Sequence, residues 1–191
     1  MKKPLFYFLS AVNLLLIVLC LAGCVYIISA GCGVYFTIAA ASEFFALVFS
    51  VLYYYRGYRK DAAKYYRLFM LFYAFTYLAE IAASVISYET IGVSSPVSTT
   101  IVFSMILYGN TLILAVGKDL GKTASYCLCG VNVFFYLLPV IGCLLPGVIT
   151  FADNTLKASS IILYCTWLVL ALNALIMTVA KYKDKASRGR E

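Results

Sequence analysis

Six long apolar runs decide what this chain can fold into. They lie at 5–28, 33–55, 65–88, 97–117, 123–150 and 158–180. A bilayer core about 30 Å thick is crossed by a helix of about 20 such residues. None of the runs alternates with a period of two, so the spans are helices and not barrel strands. The sequence therefore predicts an all-α polytopic membrane protein, a six-transmembrane-helix bundle in one domain over 1–191. Residues 181–191 form a basic tail. Two prolines, Pro139 and Pro146, fall within the fifth run. The fifth helix is expected to kink there, or to end early with its outer part in the interface.

Composition agrees with the runs. Of 191 residues, 64% are hydrophobic and 12% charged, whereas soluble domains carry about 45–50% and about 25%. So little polar surface cannot coat a soluble globule. A soluble enzyme, a secreted disulfide scaffold and a nucleic-acid binder are excluded. The chain has no histidine. A Ser-His-Asp triad, a Cys-His dyad and an HExxH zinc site cannot be built from it. No catalytic residue, cofactor or metal is assigned.

The basic residues orient the spans. With the N-terminus inside, the inner segments hold Lys2, Lys3, Arg56, Arg59, Lys60, Lys64, Arg67, Lys118 and Lys122, together with Lys181, Lys183, Lys185, Arg188 and Arg190. Only Lys157 is left outside. Cytoplasmic loops carry such an excess of Lys and Arg, so both termini are cytoplasmic, in a plasma or inner membrane. The net charge of +7 is thus a topology signal. The tail is also suited to anionic lipid headgroups. Tyr53, Tyr54, Tyr55, Tyr58, Tyr65 and Tyr66 surround the largest inner loop, as an interfacial aromatic belt does.

Two short patterns have ordinary explanations. Leu21-Ala22-Gly23-Cys24 matches a lipobox, but the preceding apolar run is longer than a signal peptide's 7–15 residues. The first run is kept as a span. Gly117 to Thr123 imitates a phosphate loop with one residue too few between its glycines and no preceding strand. The seven cysteines read as small apolar packing residues. A Cys24–Cys32 disulfide across the first outer turn is geometrically open.

Each span carries one strongly polar residue near its middle: Asn13, Glu43, Glu80, Asn110, Asn132 and Asn173. By helical rise, Glu43 and Glu80 fall within a few Å of the midplane, and the asparagines about 10–14 Å above the cytoplasmic edge. Polar residues also share faces. Tyr73, Tyr77, Glu80, Ser84 and Ser87 form one stripe; Ser125, Cys129, Asn132, Tyr136, Pro139, Cys143 and Pro146 form another. Shorter stripes join Ser10, Asn13, Cys20 and Cys24, and Ala39, Glu43, Ala46 and Ser50. Steps of three and four place such residues on one helix face, and these faces should turn into the bundle, away from lipid.

Asparagines in membrane helices serve as interhelical glue. A glutamate costs more, at least about 2.5–3.5 kcal/mol at the bilayer centre when charged. Arg67, at the inner end of the third run, is the one Lys, Arg or His within any run, and about 20 Å of helix separates it from Glu80, so no cation stands at the depth of Glu43 or Glu80. In its neutral form each could also be glue. The functional reading is that Glu43, Glu80, Tyr73, Tyr77, Asn132 and Tyr136 bind a small solute or cation in a mid-membrane cavity, with cation–π help from the tyrosines. The alternatives are a non-catalytic partner subunit or regulator, contacted through the basic inner face, and a lipid-modifying membrane enzyme with Glu80 as general base.

Overall fold

The computed structural model describes the backbone of residues 3–29, 34–56, 62–91, 96–117, 120–145 and 154–188. Within these, the side chains at 3, 23–24, 26–29, 34–36, 56, 80, 83–84, 86–91, 96–101, 154–160, 162–163 and 184–188 lie outside the description. The described residues form six α-helices and no strand: α1 Lys3–Ser29, α2 Val34–Arg56, α3 Ala62–Ile91, α4 Pro96–Val116, α5 Lys122–Leu144 and α6 Asn154–Arg188. One helix thus occupies each apolar run. Four stretches are long and apolar enough to cross a membrane: Pro4–Ala22, Thr37–Tyr55, Lys122–Leu144 and Tyr164–Lys183. A shorter apolar stretch, Val102–Val116, lies in α4.

Polarity is distributed inside-out. Asn13, Ser50, Thr111, Asn132 and Thr178 are fully buried, while Tyr7, Phe8, Val25, Val116 and Leu144 are 64–72% exposed. Water would reverse that order; a hydrocarbon solvent favours it. Buried hydroxyls help by bonding within their own helix. Thr76, Thr111 and Thr178 donate to the carbonyls of Phe72, Leu107 and Ala174 at 3.1, 2.7 and 2.7 Å. No polar partner across the bundle is then needed for them.

Two helix ends have a local reason. In the apolar run 123–150 a kink or an early end was expected at the prolines. The helix stops at Leu144, and Leu145 is extended at φ −81°, ψ 129°. Leu145 precedes Pro146, whose ring disfavours the helical region for the residue before it. Pro139 stands inside α5. At the other end of the chain, the basic tail expected from residue 181 is a continuation of α6 as far as Arg188. The stretch from Lys181 to Arg188 contains neither Gly nor Pro, the two residues least tolerated in a helix interior.

The chain divides into two compact units, Met1–Asp119 and Leu120–Glu191. In the first, α1 packs on α2, α2 on α3 and α3 on α4, and in the second α5 packs on α6. Each pair consists of consecutive antiparallel helices, the arrangement that short connections impose.

Candidate functional site

In the first unit, α2 presents Ser42, Glu43, Ala46, Leu47 and Ser50 as its buried face, with Ala39 half-buried. Steps of three and four generate this face, and the sequence-predicted stripe lies on it. Glu43 is 8% exposed. Among the described residues no hydrogen bond or ion pair reaches its carboxyl.

Ring contacts fix the register of α2 against α3. Phe72 lies 5.2 Å from Phe45 and 5.3 Å from Phe49, centroid to centroid. Glu43 therefore stands about 6 Å along the helix axis from the height of Phe72, level with Thr76 and Tyr77. Tyr77 and Tyr73, each 1% exposed, lie one turn apart on α3. The Tyr77 hydroxyl donates to that of Tyr73, and their rings are 4.9 Å apart. The structure thus brings Tyr73 and Tyr77 together and sets Glu43 at the height of Tyr77 on the neighbouring helix, one turn from Tyr73. The side chains of Glu80, Ser84 and Ser87, the rest of the predicted α3 stripe, lie outside the described residues.

A second polar layer sits about 10 Å further along α2, seven residues from Glu43. The Ser50 hydroxyl lies 2.8 Å from Asn13 Oδ1 and 2.7 Å from the Leu47 carbonyl, the two acceptors for its one proton. Asn13 Nδ2 donates to the Leu9 carbonyl at 2.7 Å. Further along α1, the Cys20 thiol donates to the Ala40 carbonyl at 3.4 Å. The α1 stripe therefore faces α2 over Asn13 and Cys20. Ser10 is half-buried, and Cys24 and Cys32, with the disulfide considered between them, lie outside the described residues. On α4, Asn110 is half-buried.

The second unit is a seam of paired side chains. Tyr182 donates its hydroxyl to the Leu120 carbonyl at 2.6 Å, which leaves its oxygen to accept from Ser125 at 2.8 Å. Cys129 and Thr178 meet at 3.5 Å. Tyr136 packs on Trp167 with ring centroids 5.4 Å apart. Between those contacts stand Asn132 and Asn173, both fully buried and at matching heights. The α5 positions advance by four, three and four residues, the spacing that keeps one helix face turned to its partner. Ser125, Cys129, Asn132, Tyr136 and Cys143 of the predicted α5 stripe are all buried. Pro139 is half-buried, and Pro146 lies outside the described residues. The described cysteines 20, 127, 129, 143 and 165 form no disulfide.

Sequence reasoning missed Trp167. Its indole Nε1 is fully enclosed with no hydrogen-bond partner, which holds for no other fully enclosed side-chain nitrogen or oxygen among the described residues; Glu43, by contrast, keeps 8% of its surface exposed. A lone tryptophan in an apolar run looks like packing. Only the spatial neighbourhood of its one polar atom sets it apart. No known protein family, no curated protein and no solved structure matches this chain.

Proposed function

We propose that the chain is an integral membrane protein of six spans, with both termini cytoplasmic, that binds or transports a small solute or cation at mid-membrane. The site centres on Glu43 of α2, with Tyr73, Tyr77 and Glu80 of α3. Asn132 and Tyr136 of α5 contribute a polar layer of their own. The observation that carries this reading is Glu43: an acidic residue, 8% exposed, within an apolar membrane-length helix. Among the described residues no cation is paired with it. Ionisable residues inside membranes are expensive and mark ion or substrate pathways. A carboxyl there holds either its own proton or a cation supplied from outside the protein. Of the phenol pair on α3, Tyr77 stands at the same height and Tyr73 one turn away, and phenols offer both hydrogen bonds and cation–π faces. At the other end of the spans, the exposed Lys122, Lys181 and Lys183 are suited to anionic headgroups.

The test is flux. The purified chain in liposomes is assayed for uptake of protons and monovalent cations, then compared with Glu43→Gln and Glu80→Gln. Uptake should fall at least about tenfold in Glu43→Gln, which keeps the shape and removes the charge, with folding unchanged by circular dichroism. Equal uptake by wild type and both variants rejects the reading.

A further inference from the structure

Two of the membrane-length stretches end on lysine at one level. That of α5 begins at Lys122, and that of α6 ends at Lys183. Tyr182 joins these ends: its hydroxyl donates to the Leu120 carbonyl at 2.6 Å and lies 2.8 Å from Ser125 Oγ. Segments far apart in the chain thereby come side by side where both apolar stretches give out. Lys122, Lys181 and Lys183 are all exposed there. Two of them are held on rings. The Lys122 ammonium lies 5.7 Å from the centre of the Tyr126 ring, and the Lys181 ammonium 5.7 Å from that of Tyr182, both within cation–π range. The two rings meet edge-on at 6.0 Å. One tyrosine pair, fixed by the Tyr182 hydrogen bonds, thus carries an ammonium group from each helix. Among the described residues 120–126 and 178–183 no acidic side chain occurs.

The arrangement fits one class of partner. An ammonium group has three N–H donors and no acceptor, so these exposed groups seek an anion. Holding them on rings beforehand lowers the ordering cost of binding it. Tyrosine at the end of a span sits at the level of the lipid headgroups, where the anion at hand is a lipid phosphate. Basic pockets between membrane helices on the cytoplasmic side bind such headgroups. We propose that Lys122 and Lys181, with Lys183 beside them, form a seat for one anionic phospholipid that bridges α5 and α6. Its phosphate accepts from the ammonium groups while its acyl chains stay in the bilayer. Such a lipid binds best when the two helix ends are together, and so stabilises their contact. The seat is a defined site, unlike the diffuse pull of basic residues toward a membrane surface. It takes its leaflet from the proposed sidedness and owes nothing to Glu43, so a failed flux assay leaves it standing.

The full chain in detergent is titrated with phosphatidylglycerol, phosphatidylcholine or inorganic phosphate, and bound molecules are counted by native mass spectrometry. One phosphatidylglycerol should bind more tightly than any after it. Phosphatidylcholine, which carries a cation beside its phosphate, should show no such first step, and neither should inorganic phosphate, which has no acyl chains. Lys122→Gln and Lys181→Gln should each weaken the first step about fivefold, the contribution of one lysine at a membrane surface. The charge-matched control Lys2→Gln with Lys3→Gln should change it by less than about twofold, since charges beyond a Debye length are screened. Tyr182→Phe keeps both ammonium groups and both rings but loses the hydrogen bonds that join the helix ends, and it should weaken the first step as well. Circular dichroism checks that each variant keeps its helices. An equal loss in the Lys2 and Lys3 control means diffuse attraction and overturns the seat. So does a first step of equal strength with phosphatidylcholine or inorganic phosphate, an unchanged first step in Tyr182→Phe, or no first step at all.

Discussion

Asn13 and Glu43 are both buried polar residues on facing helices, yet they differ in what they find there. Asn13 has Ser50 across the α1–α2 contact, with the hydroxyl 2.8 Å from its side-chain oxygen. Interhelical hydrogen bonds of this kind average about 0.6 kcal/mol in membranes. Ser50→Ala should therefore lower unfolding stability by about that amount, measured by reversible detergent-driven unfolding. In a double-mutant cycle with Asn13→Ala the losses should not add. Full additivity would mean that the two groups do not interact. Glu43 has no such partner among the described residues. An unsatisfied buried polar group costs about 1–3 kcal/mol. Glu43→Leu should accordingly raise stability by about that much in bicelle unfolding while abolishing flux. A loss of stability would show that the carboxyl is held by the fold. The sequence singled out both residues by their chemistry. It could not distinguish the met group from the unmet one, because that depends on what the facing helix presents at the same height.

At the scale of the elements, helix ends follow local rules and helix faces follow packing. Leu145 is extended because a proline comes next, and α6 runs on to Arg188 because nothing before Gly189 stops it. The extension of α6 is held to α5 at Tyr182, which donates to Leu120 and accepts from Ser125. Tyr126 stands edge-on to the same ring at 6.0 Å. Tyr182→Phe keeps the ring but removes both hydrogen bonds, at a cost of about 1 kcal/mol each. Amide exchange at residues 183–188 should then quicken, with the middle of α6 unaffected. Unchanged exchange would mean that the extension is held by its own helical hydrogen bonds. The stripe on α5 was legible as a run of polar and small residues at helical spacing. Of its partners on α6 only Asn173 stood out in the sequence; Thr178 and Trp167 did not, because nothing in their residue types marks them in an apolar run. They line up only once α5 is laid alongside.

For the whole molecule, the same apolar excess that gives six helices turns polar groups inward and leaves Tyr7, Phe8 and Leu144 outward. The charge pattern then makes a prediction about sidedness. An alkaline phosphatase fused to the C-terminus should be inactive, and fusions after residues 94 and 152 should be active, since the enzyme matures only outside the cytoplasm. The opposite pattern would overturn the assignment of both termini to the inside. The number of helices, their all-α class and the identity of the polar residues came from the sequence. Bilayer thickness, backbone hydrogen bonding and the cost of polar groups in hydrocarbon act on each segment by itself. The tertiary structure alone decided which polar groups meet. Ser50 answers Asn13, Tyr73 answers Tyr77 and Tyr182 reaches Leu120, while Glu43 and the Trp167 N–H are left without a bond among the described residues. A hydrogen bond needs two groups within about 3 Å. Spacing along one helix fixes the face a group lies on, and only the register between helices fixes what stands opposite.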